Sequence, residues 1–316
     1  MPNWLEVLNE VNRHRAEAAL EIAKKTAESQ GAFDTVRRAY LRKLFEHTGR
    51  NVITYYSGWL SKPGLGQSDI NDEDKNGFMM AVHNLDRKKG LDLLLHTPGG
   101  DIAATESIVD YLHKMFGKDI RAIVPQLAMS AGTMIACSCR SIVLSKHSNL
   151  GPIDPHLNGI PAYGVTEEFR RAWKEIQKDP AKVSMWHPII SQYRPTFLSR
   201  CENAIKWSGD FVREQLRTVM FEGDVDAAAK AAAIVKKLTD YRGNKTHSRH
   251  IHHDECKAAG LKIETLEDDP TLQDYVLTVH HCNMHILMNT PAFKITENHL
   301  GTALIKNAAP QQAAQS

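Results

Sequence analysis

Short apolar runs alternate with amphipathic segments through the middle of the chain. Apolar runs occupy residues 91–95 and 120–125, and another covers residues 141–144. Short buried strands that alternate with helical segments are typical of a parallel sheet. Residues 91–145 are therefore predicted to form a βαβαβ core. The β-rich run at residues 52–56 is predicted to begin the sheet.

Helical segments are predicted before and after this core. Residues 4–30 carry an apolar stripe at helical spacing, and residues 34–48 form a second helix that is basic on one face. Asn71 is a suitable N-cap for a helix that runs to about Leu85. Further helices are predicted over residues 166–178, 196–221, 227–238 and 270–289, with a loop around residues 186–188.

The order of these elements predicts one large α/β domain with additions. We expect a helical extension over residues 1–49 and the main domain over residues 50–305. The Ala/Gln-rich residues 306–316 are expected to form a frayed tail.

Two strand-to-helix turns carry the candidate chemistry. Residues 96–101 read His-Thr-Pro-Gly-Gly-Asp, and residues 128–133 read Ala-Met-Ser-Ala-Gly-Thr. Turns at this spacing place a Gly-Gly backbone and a helix-start serine at the same edge of a parallel sheet. Acyl transfer needs backbone N–H groups that face an oxyanion, and a hydroxyl within reach of the same carbonyl carbon. Ser130 is therefore the candidate nucleophile.

These two motifs, with Leu-Gly-Pro-Ile-Asp-Pro at residues 150–155, resemble the serine dehydrogenase proteinase family. This family is similar to the Clp-protease and signal-peptide-peptidase group, and the resemblance covers about residues 50–270. It implies a crotonase/Clp-like ββα-type fold and serine-type peptide hydrolysis. It also implies that the oxyanion is held by the backbone N–H of Gly100, or of Gly99, together with that of Ala131.

The base that would activate Ser130 is left open by the sequence. Clp proteases place a histidine about twenty-five residues after the serine, near His156, whereas signal peptide peptidases use a lysine about fifty residues on, near Lys182. Lys182 is favoured modestly, because alignment of the preceding strand places Asp154 or its neighbour, not His156, at the histidine position. Counting back from a later Gly-Leu pair places Ser248 where the Clp group has aspartate. Asp154 and Ser248 are therefore candidates for orienting or substrate-binding roles.

No cofactor or metal is predicted. His281 and His285 lie one helical turn apart and could share a metal ligand site, but the glutamate of a His-Glu-x-x-His motif is absent. No Gly-x-Gly-x-x-Gly run follows a strand, so the sequence gives no support to a dinucleotide cofactor.

Composition narrows the classes of partner. A net charge of +2 gives no reason to expect nucleic acid or an anionic membrane. No apolar run approaches the roughly 20 residues that a membrane span needs, and residues 1–6 lack the apolar segment of a signal peptide. The five cysteines include no Cys-x-x-Cys pair and fit reduced thiols in a cytoplasmic protein.

The sequence therefore favours a cytoplasmic serine peptidase that acts on a peptide or protein substrate. Two alternatives stay open: an acyl-thioester enzyme of the broader crotonase-like fold, and a scaffold protein with an incomplete site. The family resemblance also implies a homo-oligomer, in which the stripe over residues 4–30 could pack against a neighbouring subunit.

Overall fold

A mostly parallel sheet forms the centre of the molecule in the computed structural model, which describes residues 31–157, 159–240 and 246–308. The predicted helix over residues 4–30 and the tail residues 309–316 lie outside the described residues. The strands are β1 (Asn51–Ser57), β2 (Leu91–His96), β3 (Ile120–Val124), β4 (Leu127–Ala128), β5 (Ser141–Leu144), β6 (Asn149–Leu150), β7 (His156–Leu157), β8 (Ile160–Pro161), β9 (Ile251–His252), β10 (Ile263–Thr265), β11 (Ala292–Asn298) and β12 (Ala303–Asn307).

The central sheet has seven strands in the order β10-β5-β3-β2-β1-β11-β12. The first five run parallel, and β11 and β12 add an antiparallel edge. Strands β1, β2 and β5 are buried along their whole length, as expected for parallel strands that are covered on both faces. The predicted α/β fold class is confirmed.

Two hydrophobic cores cover the two faces of this sheet. Successive side chains of a strand point to opposite faces, so Leu93 and Leu95 of β2 pack into one core and Leu94 packs into the other.

The helices are α1 (residues 31–48), α2 (Asp74–Val82), α3 (Ile102–Phe116), α4 (Ala131–Cys137), α5 (Ala162–Lys178), α6 (Val183–Ile190), α7 (Phe197–Gln215), α8 (Ala227–Leu238), α9 (His253–Ala259) and α10 (Pro270–Asn289).

Helices α8 and α10 confirm the segments predicted at residues 227–238 and 270–289. The first core is built with α2, α3, α4, α7, α8 and α9, and the second with α1 and α10. A smaller apolar cluster joins α5 to α7. Among the described helices, none has the length and apolar character that a membrane crossing would require.

Several predicted boundaries differ from the structure. The loop predicted around residues 186–188 is part of helix α6, which forms despite its internal Pro188 because Trp186 is buried and donates to Glu175 (3.2 Å). Helix α2 begins at Asp74, since the Asn71 side chain accepts from the Glu73 N–H (3.1 Å) in a turn before the helix. Strand β12 extends to Asn307, so the predicted tail boundary at residue 306 falls inside a strand.

Two buried histidines lie between the sheet and α10. The rings of His96 and His280 are 5.4 Å apart, and the Tyr56 hydroxyl lies 3.3 Å from His280 Nδ1. Burial lowers the pKa of His280 to about 4 and also lowers the pKa of His96. In the unfolded chain both imidazoles have the ordinary pKa of about 6.5. Between about pH 4 and pH 6.5 the unfolded chain therefore binds more protons than the folded chain.

The free energy of unfolding is therefore expected to fall as the pH drops from about 6.5 to 4, with His280 contributing up to about 3 kcal/mol of this loss. Urea unfolding at stepped pH measures it. His280→Gln should flatten the pH dependence, whereas the exposed His83→Gln should leave it unchanged. An unchanged slope in His280→Gln would contradict the assignment.

Candidate active site

The Gly-Gly turn and the serine turn are joined by backbone hydrogen bonds. The Thr97 N–H donates to the Leu127 carbonyl (3.1 Å), and the Met129 N–H donates to the Thr97 carbonyl (3.0 Å). Thr97 follows β2 directly and Met129 follows β4. The two predicted motifs therefore meet at one edge of the sheet, as their spacing indicates.

A third backbone segment packs against the Gly-Gly turn. The Ile70 N–H donates to the Gly99 carbonyl (2.7 Å), and the Asp101 N–H donates to the Ile70 carbonyl (2.9 Å). A Cβ on Gly100 would lie 2.3 Å from both the N and the O of Ile70. Gly99 has a φ of +98°, and a Cβ there would lie 2.7 Å from Ser130 Cβ. Only glycine fits this approach of the three segments.

A buried ion pair fixes the segment that carries Ile70. Lys294, which is 2% exposed, places its ammonium 2.7 Å from Asp74 Oδ2 and also donates to the Asp69 carbonyl (2.5 Å). The same Asp74 carboxylate accepts from the Tyr55 hydroxyl (2.8 Å) and from the Asn71 N–H (3.0 Å). Burial lowers the pKa of Lys294, and the contact with Asp74 opposes this shift. The satisfied pair holds residues 69–71 against the Gly-Gly turn.

Ser130 has an unusual backbone conformation, with φ 50° and ψ −115°. L residues rarely adopt a positive φ, and such strain is concentrated at functional sites. Ser130 precedes α4, but its hydroxyl makes no capping hydrogen bond to that helix. Among the hydrogen bonds of the described residues, the backbone N–H groups of Gly100 and Ala131 have no acceptor. One hydroxyl and two backbone donors are thus available together.

A single cleft is lined by Ser130, both glycines of the turn, and two histidines, His156 and His247. The two imidazole rings are 4.1 Å apart. Arg200 and Trp207 of α7 line the same cleft.

Asp154 lies buried behind the two histidines. Its Oδ1 is 2.9 Å from His247 Nδ1, and its Oδ2 is 3.6 Å from His156 Nε2. Burial raises the pKa of Asp154, but the contacts with the two histidines and their charges outweigh burial and hold that pKa below its ordinary value. The cleft therefore holds an ionised carboxylate with two imidazoles directly in front of it.

Local packing fixes the position of this carboxylate. The Thr133 hydroxyl of α4 donates to the Ala128 carbonyl (2.8 Å) and accepts from the Gly151 N–H (2.9 Å). The Ile153 N–H, next to Asp154, donates to the Leu238 carbonyl at the end of α8 (3.1 Å). The segment that carries Asp154 is tied on one side to the serine-bearing helix and on the other to α8.

Comparison with known proteins identifies the chain's relatives. The sequence profile of the ClpP-like SDH-type serine proteinases matches residues 22–277. The chain belongs to this family. Its predicted relation to the serine dehydrogenase proteinases is confirmed, and the family is one of serine peptidases with a ClpP-like fold.

Two relatives of this chain come from Methanocaldococcus jannaschii and are named as the uncharacterized proteins MJ0137 and MJ1495. They are 30% and 28% identical to it over 196 residues, which is 62% of this chain in each case. The aligned region spans 61% and 59% of the relatives' own lengths, so the match covers somewhat less than two thirds of each relative.

The structure brings some of the predicted site residues together and leaves two apart. Ser130, Gly99, Gly100 and His156 line the cleft, and Ala131 follows the serine directly. The Asp154 carboxylate lies next to His156 and His247, and its predicted orienting or substrate-binding role stays a prediction.

Lys182 and Ser248 do not line the cleft. Lys182 precedes α6 with 42% of its side chain exposed, and its ammonium lies 3.4 Å from Glu175. The Ser248 hydroxyl is exposed and lies 3.1 Å from that of Thr246. Neither side chain is placed to act on Ser130 in this structure. The pair His281 and His285 forms no group of three metal ligands within the described part of the chain.

His247 also lines the cleft, although no role was predicted for it from the sequence. It lies 93 residues from Asp154 along the chain, and only the tertiary fold joins the two. The available signal was a histidine-rich segment next to Ser248, which does not indicate which histidine turns inward.

Gly100→Ala is expected to lower the free energy of unfolding by about 1–3 kcal/mol, because its Cβ would overlap the Ile70 backbone. Gly66 has open space around its Cβ position, so Gly66→Ala is the matched control. Denaturant unfolding measures both variants. Equal stability of the two would refute the close approach.

Proposed function

We propose that this protein hydrolyses peptide bonds through an acyl-enzyme on Ser130. One observation carries the proposal: the strained Ser130 shares a cleft with the Gly-Gly turn and with two imidazoles that face a buried carboxylate. This arrangement contains the three parts that acyl transfer needs, namely a nucleophile, a base with an orienting group, and free backbone donors. Membership of a serine-proteinase family supports the same reaction class.

His247 is the proposed base. Its Nδ1 lies 2.9 Å from Asp154 Oδ1. An Nδ1–H that donates to a carboxylate leaves Nε2 as the proton acceptor, which is the tautomer that a serine triad uses. His156 faces Asp154 through Nε2 at the longer distance of 3.6 Å. His247 therefore replaces Lys182 and His156 as the favoured candidate, and Asp154 takes the orienting role.

Gly100 and Ala131 supply the proposed oxyanion donors. Both N–H groups lack an acceptor among the described residues. Gly99 lies against Ser130 Cβ, which keeps the turn beside the nucleophile. Donors fixed by backbone packing need no reorganisation when charge develops on the carbonyl oxygen, and removal of one such donor costs about 10²–10³-fold in rate.

The reaction follows from these positions. Ser130 Oγ attacks the peptide carbonyl carbon while its proton passes to His247 Nε2. The oxyanion forms between the two backbone donors, and collapse of the intermediate expels the amine with the proton that His247 returns. Water then attacks the Ser130 ester by the same route, which releases the acid and restores the serine.

The contact between His247 and Asp154 also bears on the two alternative functions, a scaffold protein and an acyl-thioester enzyme. A scaffold protein would not need a base that is oriented by a buried carboxylate beside a strained serine. An acyl-thioester enzyme of the broader crotonase-like fold rarely needs a serine at this helix start, as the resemblance implies. A peptide or protein substrate, a homo-oligomer and a cytoplasmic location remain predictions that accompany the proposed peptidase.

Hydrolysis of an unstructured protein such as casein tests the proposal. Ser130→Ala and His247→Gln are each expected to lower turnover at least about 10³-fold, because each removes one member of a concerted triad. His156→Gln should retain most of the turnover, since His156 does not accept the proton.

Ser184→Ala and His250→Gln are the matched controls, because both residues are exposed and lie outside the cleft. Both controls should keep wild-type turnover. Full turnover in Ser130→Ala would overturn the nucleophile assignment. Loss of turnover in His156→Gln, with His247→Gln active, would transfer the base role to His156.

A further inference from the structure

Three side chains in the cleft present metal-ligating atoms to one another. Asp154, His156 and His247 each offer one such atom, and all three atoms lie within 4.8 Å of one another. Among the described residues they form the one group of three or more histidine, cysteine or carboxylate side chains with this geometry. The family assignment gives this group no metal role, since a serine triad uses none.

The spacing of these atoms fits a tetrahedral zinc ion. Zn²⁺ binds nitrogen and oxygen ligands at about 2.0–2.2 Å, so two ligands of a tetrahedral site are about 3.3–3.6 Å apart. Asp154 Oδ1 lies 2.9 Å from His247 Nδ1, and Asp154 Oδ2 lies 3.6 Å from His156 Nε2. The first distance is shorter than the tetrahedral separation and the second lies at its upper end, so small side-chain movements would admit the ion.

The types of ligand atom indicate which metal ion would bind. Two imidazoles with one carboxylate suit Zn²⁺, whereas Ca²⁺ and Mg²⁺ favour sites built from oxygen ligands alone. Asp154 is nine-tenths buried or more, yet its Oδ2 accepts no hydrogen bond among the described residues. A buried carboxylate oxygen with unused capacity, facing an imidazole, is an independent indication of a ligand at this position.

Two of the three ligands are also held in place by the fold. Asp154 follows Ile153, whose N–H bonds to α8, and His156 lies in the β7–β8 hairpin, where it pairs with Pro161. Preorganised ligands lower the cost of binding a metal. Three protein ligands leave a fourth coordination position, and two of the ligands, His156 and His247, line the same cleft as Ser130.

We propose that Asp154, His156 and His247 bind one Zn²⁺ ion, and that bound zinc inhibits the peptidase. The inhibition rests on the proposed function, whereas the binding does not. Zinc bound at His247 Nδ1 displaces the hydrogen bond to Asp154, and the ring proton of the neutral imidazole then resides on Nε2. An Nε2–H is a donor and cannot accept the proton of Ser130. Zinc thereby converts the base into its inactive tautomer without any net change in protonation.

Isothermal titration of the metal-free full chain with Zn²⁺ tests the binding. We expect the wild type and Ser130→Ala each to bind one Zn²⁺ ion per chain tightly. The affinity for this ion should fall at least about 100-fold in each of three variants that remove a ligand, namely Asp154→Asn, His156→Gln and His247→Gln. His156 is partly exposed, so its variant gives a result even if Asp154→Asn does not fold.

The chain has 16 histidines, so a matched control is needed. The double variant His281→Gln/His285→Gln removes the exposed helical pair and should bind zinc as the wild type does. Casein hydrolysis is then measured with stoichiometric Zn²⁺ and again after addition of a chelator. Loss of turnover with zinc and recovery with chelator complete the expected result.

The remaining outcomes separate the two proposals. The zinc site is overturned if the wild type binds no Zn²⁺ tightly, or if tight binding persists in all three ligand variants. Tight binding that depends on the three ligands, in a metal-free protein without hydrolysis, supports the site and overturns the peptidase. Zinc-stimulated hydrolysis that persists in Ser130→Ala overturns the inhibition, because the metal would then activate water itself.

Discussion

The candidate site depends on the direct contact of three backbone segments. Residues 69–71, 97–101 and 127–131 are joined by paired hydrogen bonds through Ile70 and Thr97. Gly100 lies so close to Ile70 that no Cβ fits between them. This contact sets the position of the free backbone donors relative to Ser130 before any catalytic side chain is considered. The oxyanion geometry that we propose is therefore a property of the main chain.

A distant strand supports this contact. Lys294 belongs to the antiparallel strand β11, yet its ammonium holds both Asp74 and the carbonyl of Asp69 beside the Gly-Gly turn. The partners Lys294 and Asp74 are 220 residues apart in the chain. Because loss of one partner from a buried ion pair leaves an uncompensated charge, the C-terminal edge of the sheet and the site are coupled energetically.

Local patterns were sufficient to predict the sheet core, helices α8 and α10, and the two turns that meet at the cleft. Each of these is encoded within a short segment, by apolar periodicity or by glycine at a turn. Lys182 was favoured by its spacing from Ser130, but α5 and α6 place it beside Glu175. His247 could not be assigned, because its contact with Asp154 exists only in the folded chain. Helix α6 was missed since Pro188 argues against a helix locally, while burial of Trp186 favours it.

The central claim is that the fold activates one serine. A fluorophosphonate reacts covalently with an activated serine hydroxyl, and mass spectrometry of the digested protein locates the adduct. The account predicts a single adduct on Ser130 of the metal-free protein, and none on Ser130→Ala. An adduct on another hydroxyl, or a folded metal-free protein that stays unmodified at Ser130, would contradict it.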